Sequence, residues 1–345
     1  MKPNKPQIIG GMFGLQEMLN SKGTTPRFLN GKSLLLANAR SGLALLIELL
    51  SPTCVWMPSY LCHSMLKAAS PFVSAVKFYE VNYDLVPSSL DWLDHIQPKD
   101  LVVLVDYFGF PCDPFCIKRA KEKGAWVLED ACQTLLSEDV GRFSDFVLYS
   151  PRKFLGIPDG GILSYNDEIA FDTKLENPPA AWWLKAFFAS VLRREFDLHG
   201  GSRRWFELFQ ETEIGGPIGP YAMSELSRIL LQHCFDYLMI AQKRIENYQL
   251  LLNNLFELAL FPSLPPKVVP LGFPIRVKNR DRVRQALFDH QIYPPVHWPI
   301  KGIVPEKFRD SHQLSDEIMT LPCDQRYNRR DMERMAQLVA EVLQW

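Results

Sequence analysis

The stretch LYSPRKFLGIPDGG at residues 148–161 places one lysine, Lys153, just after an apolar segment and among prolines and glycines that favour turns. Beyond surface charge, a lysine binds phosphate as a point charge or forms a Schiff base with a carbonyl group. The chain holds no G-x-x-x-x-G-K-[ST] run, so the sequence does not support a nucleotide P-loop. The sequence therefore favours Schiff-base chemistry for Lys153 if a partner residue for it exists.

A candidate partner, Asp130, lies twenty-three residues before Lys153, at the end of the apolar run AWVLED. Pyridoxal phosphate withdraws electrons only while its ring nitrogen stays protonated, and an adjacent carboxylate stabilises that proton by charge pairing. On a parallel sheet this chemistry needs a particular order of motifs: Glu-Asp after one strand, lysine after a later strand, and then Asp-Gly-Gly. Taken singly, Asp130 is also compatible with a helix cap and Lys153 with a surface position.

Short apolar runs separated by helix-like segments must position these residues. The runs that predict strands are CVWMP (54–58), AVKFYEV (75–81), LVVLVDYF (101–108), AWVLED (125–130), FVLYS (146–150) and GGILSY (160–165). Residues 61–70 and 113–123 predict helices between them. This alternation indicates an α/β fold with a mostly parallel sheet, in which ligands bind at the carboxyl ends of the strands. We expect Asp106, Asp130 and Lys153 to share that rim, with Asp106 capping its strand and closing the floor of the site.

The pattern changes after the last of these strands. Residues 176–220 hold an amphipathic helix and a second stretch that mixes aromatic side chains with arginines. We expect this segment to form a packed face, an oligomer interface or a substrate lid. A long helix is predicted to start near Tyr221 and to run past Leu251.

The C-terminal part predicts a small α+β unit. Its predicted elements are a strand at 270–277, a helix at 280–291 and a terminal helix at 331–345. The sequence thus predicts a large three-layer domain over residues 1–240 and a smaller C-terminal domain over residues 241–345.

The composition restricts the class of protein. The chain has 345 residues, of which 47% are hydrophobic and 22% charged, and its formal net charge is −1, which gives no support to nucleic-acid binding. The longest apolar run, at 43–50, is too short for a membrane span, and residues 1–11 lack the apolar core of a secretory signal. The seven cysteines are scattered without metal-site spacing, so we expect reduced thiols, no metal and a cytoplasmic location.

Several of these motifs together resemble one known family, the DegT/StrS-type aminotransferases of pyridoxal-phosphate fold type I, which act mainly on nucleotide-linked keto-sugars. The segments that carry the resemblance are MPSYLCHSM (57–65), VDYFGFPCD (105–113), LEDACQ (128–133), SPRKFLGIPDGG (150–161) and FPIRV followed by RDRVRQAL (273–287). The resemblance covers most of the chain. It implies a pyridoxal-phosphate enzyme with the fold predicted above.

The resemblance also implies roles for individual residues. Lys153 would carry the cofactor, Asp130 would pair with its pyridine nitrogen, and Gln133 would lie against the cofactor's 3′-oxygen or the substrate. ANARSGLALL (37–46) is similar to the family's turn that opens a helix. There the backbone N–H groups of Ala39 and Arg40 would bind the phosphate at a positive helix end, with the Arg40 guanidinium adding charge-assisted bonds.

The sequence differs from the family pattern at the expected cofactor wall. Leu148 stands where the family has a phosphate-binding serine, and Ser150 is the nearest hydroxyl that would replace it. Cys62 stands at the position of the ring-stacking aromatic residue, with His63 next to it. We expect Cys62 and His63 at the cofactor site, with His63 in a structural or substrate-facing position rather than stacked on the ring.

Two further differences precede the MSEL motif. Pro220 and Ala222 replace an asparagine and an arginine that contact cofactor or substrate across the dimer in the family. His297, in PPVHWP, is compatible with a core, rim or substrate-side position.

The resulting hypothesis is an aminotransferase that takes an amino group, from glutamate by resemblance, and passes it to a keto-sugar or similar carbonyl substrate. By the same resemblance we expect a homodimer. A non-catalytic relative that serves as a binding or assembly module is one alternative. Another pyridoxal-phosphate reaction, such as sugar dehydration, is a second, but relatives of that kind have histidine in place of the lysine that this chain keeps as Lys153.

Overall fold

The structure is a computed structural model that describes residues 7–17, 25–29, 31–71, 73, 75–166, 171 and 173–343. The first six residues, which belong to the segment tested for a secretory signal, lie outside the described residues. So do residues 344 and 345, the last two of the predicted terminal helix. No helix among the described residues combines the length and apolar character that crossing a bilayer requires.

The described residues form short strands and longer helices that alternate through the first half of the chain. The strands are β1 (Ile9–Gly10), β2 (Ser33–Leu36), β3 (Val55–Pro58), β4 (Val76–Tyr79), β5 (Leu101–Val105), β6 (Trp126–Asp130), β7 (Phe146–Tyr149), β8 (Gly161–Tyr165), β9 (Phe273–Arg276), β10 (Ile292–Tyr293) and β11 (Ile318–Leu321). The helices are α1 (Ala39–Leu50), α2 (His63–Ala69), α3 (Pro114–Glu122), α4 (Ala180–His199), α5 (Arg204–Ile214), α6 (Glu225–His233), α7 (Tyr237–Leu255), α8 (Arg280–Asp289), α9 (Arg309–Glu317) and α10 (Arg329–Leu343).

The main sheet has seven strands in the order β2-β8-β7-β6-β5-β3-β4. Strands β3 to β7 pair in parallel, whereas β8 is antiparallel to both β7 and β2. Strands β3, β5 and β7 are buried along their whole length, as expected of strands covered on both faces. The predicted mostly parallel α/β sheet is confirmed, with β2 as an additional antiparallel edge strand that the sequence pattern did not indicate.

Strand register brings the ends of three neighbouring strands to one edge. Val105 pairs with Asp130, and Asp130 pairs with Leu148 on the next strand. Because these strands are parallel, the residues that follow them leave the sheet on the same side. The segment after β7 therefore begins beside Asp130.

Two glycines bring β8 close to the start of α1. The N–H of Gly160 donates to the Ala37 carbonyl at 2.9 Å, and a Cβ on Gly161 would lie 2.2 Å from the Asn38 carbonyl carbon. The Asn38 side chain caps α1 by accepting from the N–H of Ser41 at 3.1 Å. The Gly-Gly pair therefore places the first turn of α1 against the antiparallel strand.

The long helix predicted from Tyr221 past Leu251 is wrong, because two helices, α6 and α7, occupy this segment. Ser224 caps α6 by accepting from the N–H of Ser227, and Asp236 caps α7 by accepting from the N–H of Met239. Short polar side chains that bond nearby backbone groups favour such breaks over a continuous helix.

The C-terminal part forms a second hydrophobic core. Strand β9 pairs antiparallel with β11, and the apolar faces of α7 and α10 pack with them. The N-terminal strand β1 joins this part by pairing with β10, and Ile9 is fully buried in the same core. The division at residue 240 stays a prediction. That boundary falls inside α7, while Tyr248, Leu251 and Leu255 of α7 pack with the C-terminal core.

We expect Gly161→Ala to destabilise the protein by about 1–3 kcal/mol, because its Cβ has to displace the backbone at Asn38 and Ala39. Urea unfolding monitored by circular dichroism measures the change. Ser164→Ala on the same strand is the control, since it removes a hydroxyl that has no partner among the described residues. Equal stability of the two variants would contradict the proposed close contact.

Candidate active site

A cavity of about 240 Å³ lies at the rim where β5, β6 and β7 end. Seven of the eight residues predicted for the site line it: Ala39, Arg40, Cys62, Asp130, Gln133, Ser150 and Lys153. The eighth, His63, does not line the cavity and is exposed on the first turn of α2. The structure thus brings together residues that are up to 114 positions apart in the sequence.

Lys153 and Asp130 reach this cavity from neighbouring strands. Lys153 ends a single helical turn, Pro151–Lys153, that follows β7, and its N–H donates to the Ser150 carbonyl at 3.1 Å. Asp130 is the last residue of β6, and its Oδ1 accepts from the N–H of Cys132 at 3.1 Å. An amine and a carboxylate that line the same pocket match the needs of a pyridine ring bound there.

Gln133 provides a hydrogen-bond donor for a ligand. Its Oε1 accepts from the N–H of Phe108 at 2.9 Å, which fixes the orientation of the side chain. Among the described residues no acceptor lies within hydrogen-bond distance of its Nε2, although the side chain is only 1% exposed. A buried donor without a partner is costly, so this amide is suited to an acceptor oxygen on a bound molecule. The residues present therefore fit pyridoxal phosphate.

The start of α1 forms the anion-binding end of the cavity. The N–H groups in the first turn of a helix carry partial positive charge, and Ala39 and Arg40 occupy that turn. The Arg40 Nη1 donates to the Glu213 carbonyl at 2.8 Å, and the Arg152 Nη2 donates to Glu213 Oε1 at 2.7 Å. Glu213 of α5 therefore holds two arginines beside the lysine.

The charge balance keeps Glu213 ionised. Burial acts to raise the pKa of its carboxyl, but Arg152, Arg40 and Lys153 outweigh burial and hold the pKa below its ordinary value. Arg152 and Glu213 were not among the residues predicted for the site. The position of Arg152 directly before the lysine was a usable signal, whereas Glu213 lies sixty residues away on a helix that no motif connects to the site.

Leu148 and Ser150 occupy different positions at this end. Leu148 is buried, and a Cβ on Gly42 would lie 2.6 Å from its Cδ1, so it packs directly on α1. It offers no side-chain donor. Ser150 makes no side-chain capping bond in the described structure and lines the cavity, where its hydroxyl is accessible to a ligand.

Cys62, Ser64, Met65 and Trp298 also line the cavity. Cys62 Sγ lies 3.0 Å from Ser64 Oγ. His63 faces away because consecutive residues in a helical turn point in different directions. Trp298, which packs at 5.5 Å from the ring of Tyr60, is an aromatic wall residue that the sequence analysis did not identify.

Pro220 and Ala222 do not line this cavity in the described chain. The Pro220 carbonyl accepts from the N–H of Glu176 at 2.7 Å, and the N–H of Ala222 donates to the Glu176 carbonyl at 2.7 Å. Ala222 also bridges to Leu36 of β2. Within one chain these residues therefore extend the edge of the sheet.

A second cavity of about 810 Å³ adjoins the first and shares Ser150, Arg152, Lys153 and Glu213 with it. His297 lines this larger cavity, with Nδ1 2.9 Å from Thr320 Oγ1. Burial and then the positive charge of Lys153 lower the pKa of His297 to about 3. A neutral imidazole therefore lines the larger cavity together with Lys153.

Asp106 lies below the site rather than in it. Its Oδ1 accepts from the N–H of Cys112 at 2.8 Å, which agrees with the expected capping role at the end of β5. Burial, followed by repulsion from Glu129, raises the pKa of the Asp106 carboxyl well above its ordinary value. Burial also raises the pKa of Glu129, so both carboxyls lose their protons less readily than exposed acids. Together with Cys112 their potential ligand atoms lie within 4.8 Å of one another.

The fold of the chain is similar to those of solved structures. The chain is similar to Spr1654 from Streptococcus pneumoniae, which is described as a sugar aminotransferase. The TM-score is 0.69 at 14% identity, and the match covers 96% of this chain and 97% of Spr1654. That protein has also been solved in its pyridoxal-phosphate and pyridoxamine-phosphate forms. A likeness at this level of identity shows a shared fold.

Two other solved structures are similar over most of the chain. DesV of S. venezuelae, solved with a ketimine intermediate, matches with a TM-score of 0.67 at 17% identity, over 92% of this chain and 86% of that one. The sugar aminotransferase CalS13 of Micromonospora echinospora matches with a TM-score of 0.63 at 14% identity, over 90% and 87% of the two chains. No curated protein sequence matches the chain.

Fold and site together define a fold-type-I aminotransferase with pyridoxal phosphate as its cofactor. The profile of the DegT/DnrJ/EryC1/StrS aminotransferase family matches residues 77–340, which is most of the chain. The protein belongs to this family, and the resemblance found in its motifs is confirmed.

We expect the His297 imidazole to stay neutral between pH 5 and 8, the range in which an ordinary histidine titrates. Between pH values of about 6.5 and 3 the unfolded chain binds a proton at this residue that the folded protein does not, so stability falls as the pH falls. Glutamine does not titrate, so we expect the free energy of unfolding of His297→Gln to fall less between pH 6.5 and pH 3 than that of the wild type, by about 1–3 kcal/mol.

NMR of the assigned ring follows the titration, and urea unfolding at several pH values follows the stability. The same ring in the urea-unfolded protein is the internal reference, with an expected pKa of about 6.5. A folded-state titration midpoint near that of the unfolded chain would show that His297 is not held neutral.

Proposed function

We propose that the protein transfers an amino group from glutamate to a keto-sugar, with pyridoxal phosphate bound in the smaller cavity. The observation that carries this proposal is the convergence of Lys153 and Asp130, from neighbouring parallel strands, on one pocket. When bound, the cofactor supplies an electron sink that stabilises negative charge at the donor's α-carbon.

Asp130 is the proposed partner of the ring nitrogen. It is 7% exposed, and the N–H of Cys132 fixes one of its oxygens at 3.1 Å. A carboxylate held in this way favours a proton on the ring nitrogen by charge pairing, which preserves the electron sink. Its role is electrostatic, and it does not need to exchange the proton during the reaction.

Lys153 is the proposed residue that carries the cofactor and moves the proton. With the cofactor bound, its amine would hold the group and would serve as the base that takes the proton from the α-carbon of the donor. The short turn after β7 holds its backbone through the Ser150 carbonyl. His297 is neutral in the adjoining cavity, so it adds no further positive charge to those of the lysine and the two arginines.

The phosphate is proposed to bind at the start of α1. This end of the cavity holds several donors: the backbone N–H groups of Ala39 and Arg40, the Ser150 hydroxyl, and the guanidinium groups of Arg40 and Arg152. Charge-assisted bonds of this kind contribute about 1.5–3 kcal/mol each. Arg152 thereby offsets the hydroxyl that is missing at Leu148.

The acceptor is proposed to be a nucleotide-linked keto-sugar bound in the larger cavity. Two of the similar structures, Spr1654 and CalS13, are described as sugar aminotransferases. The larger cavity opens directly onto Lys153, and its volume of about 810 Å³ is in the range of sites for such ligands.

A homodimer and a cytoplasmic location remain predictions. Large apolar side chains are exposed on α4, α5 and α7: Leu184, Phe188, Leu198, Ile214, Leu238 and Met239. Such side chains are typical of a surface that a second subunit covers.

Leu148 stands where the family has a phosphate-binding serine, and this loss of a donor is the observation that favours a non-catalytic binding module. Visible or near-ultraviolet absorbance separates the two functions, because an aminotransferase that carries its cofactor on lysine is coloured and a module without cofactor is not.

We expect Lys153→Ala to abolish the covalent attachment of pyridoxal phosphate while the fold persists. Borohydride reduction followed by peptide mass mapping identifies the modified lysine. Lys153→Arg is the matched control, since it keeps the positive charge beside Glu213 and lacks a reactive amine. A reduced adduct on another lysine would reassign the site.

We expect Asp130→Asn to retain bound cofactor and to lower the rate of the glutamate half-reaction by at least about 100-fold, because a neutral amide cannot hold the ring nitrogen protonated. Stopped-flow absorbance of the loaded enzyme mixed with glutamate measures the rate. Asp113→Asn, which changes an aspartate at the start of α3 outside the cavity, is the control. Near-normal turnover in Asp130→Asn would exclude this residue as the ring partner.

A further inference from the structure

Arg244 of α7 is a buried arginine that lines neither of the two cavities described above. Its exposed fraction is 0%. No carboxylate among the described residues forms an ion pair with it, and the neighbouring Asp324 pairs with Arg326 at 2.8 Å instead. Burial lowers the pKa of Arg244 to about 10, so its guanidinium is still charged at neutral pH. A buried charge is costly unless hydrogen bonds satisfy it, so the acceptors around Arg244 indicate what this residue does.

The acceptors of Arg244 come from three separate segments of the chain. Its Nη1 donates to the carbonyls of Pro270 and Leu271, just before β9, at 3.2 and 3.0 Å. Its Nε donates to Oε1 of Gln325, between β11 and α10, at 2.9 Å. Its Nη2 donates to the carbonyl of Phe154 at 3.5 Å. Because a planar guanidinium fixes the directions of its donors, Arg244 holds these segments in one arrangement.

Phe154, the residue directly after Lys153, joins this network to the proposed active site. Its carbonyl accepts a second and shorter hydrogen bond, from Gln325 Nε2 at 2.7 Å. Its ring lies against the guanidinium of Arg244, with 4.4 Å between Cζ and the ring centroid. Both the backbone and the side chain of Phe154 therefore contact the pair Arg244 and Gln325, which we call the Arg244–Gln325 clamp.

The N-terminal segment also contacts the residues that follow Lys153. The N–H of Gln16 donates to the Gly156 carbonyl at 2.8 Å, and a Cβ on Gly156 would lie 2.1 Å from the Gly14 carbonyl oxygen. Only glycine permits so close an approach of two backbone segments. The turn that carries Lys153 is thus held by segments that are distant in the sequence.

We propose, resting on the proposed function, that Arg244 and Gln325 are positioning residues for Lys153. They act through Phe154, because fixing the residue after the lysine fixes the point from which the lysine side chain enters the smaller cavity. Gln325 belongs to the C-terminal part and Lys153 follows a strand of the main sheet. The clamp therefore makes the position of the amine depend on how these two parts of the chain pack together.

Variants of Gln325 test this assignment, because loss of Arg244 would leave several buried carbonyls without a donor and endanger the fold. Gln325→Leu removes both hydrogen bonds of the side chain. Gln325→Glu keeps an acceptor for Arg244 and adds a counter-charge, but its carboxylate cannot donate to the Phe154 carbonyl. Gln242→Leu is the matched control, since Gln242 is an exposed glutamine of the same helix as Arg244.

The first readout is the rate at which the full chain forms a lysine adduct with added pyridoxal phosphate, followed by absorbance. Borohydride trapping identifies Lys153 as the lysine that reacts. We expect both Gln325 variants to react about 10- to 100-fold more slowly than wild type, because an amine displaced by about 1 Å reacts much less efficiently. We expect Gln242→Leu to react at the wild-type rate.

The second readout needs no cofactor. Amide hydrogen exchange of residues 151–156, measured by mass spectrometry, is expected to be faster in both Gln325 variants than in wild type. Urea unfolding separates positioning from stability. Gln325→Glu supplies a carboxylate to the buried guanidinium, so its unfolding midpoint is expected to lie above that of Gln325→Leu although both variants react slowly.

A wild-type reaction rate and wild-type exchange in Gln325→Glu would overturn the proposal, because this variant lacks the bond to Phe154. Slowing confined to the less stable Gln325→Leu would equally overturn it, since Gln325 would then act on stability alone. A wild-type chain that forms no adduct would contradict the proposed function instead. The exchange comparison would in that case still decide whether Gln325 holds the turn that carries Lys153.

Discussion

The architecture of the site depends on one close backbone contact, between the glycine pair at the start of β8 and the first turn of α1. A side chain at Gly161 would overlap the backbone at Asn38 and Ala39. Only glycine lets the antiparallel strand approach so closely, and this approach holds the helix start beside the rim of the parallel strands. Leu148 packing on Gly42 continues the same interface one turn further along α1. The helix end that favours an anion is thereby placed next to the turn that carries Lys153.

Charge is distributed around the rim in separate layers. Arg40, Arg152 and Lys153 gather on the upper side, where Glu213 holds the arginines and remains ionised. Below the rim, burial raises the pKa of Asp106 and Glu129, so this carboxyl pair carries less negative charge than two exposed acids would. Asp130 is then the carboxylate at the cavity wall beside the lysine. This arrangement concentrates negative charge where a protonated ring nitrogen would need it.

The differences from the family pattern have physical explanations in the structure. At Leu148 an apolar side chain fills the gap between β7 and α1, and Arg152 with Glu213 supplies charge at the same end of the cavity. At Pro220 and Ala222 the backbone pairs with Glu176 and extends the sheet edge within one chain. The hairpin of α4 and α5 delivers both Glu213 to the smaller cavity and Arg203 to the larger one.

The sequence by itself determined the parallel strands and the positions of Lys153 and Asp130 at strand ends, because periodicity and turn residues act over a few neighbouring positions. The helix start at Ala39 came from the resemblance to the family. The sequence did not determine the break between α6 and α7, the exposure of His63, or the placement of Trp298 and Glu213 beside the lysine. Those features depend on which segments, far apart in the sequence, pack together. Successive side chains on a helix point in different directions, so Ser64 lines the cavity while its neighbour His63 is exposed. Tertiary packing also decided the second cavity, because its walls come from the N-terminal segment, the α4–α5 hairpin and the C-terminal part, which no local pattern connects.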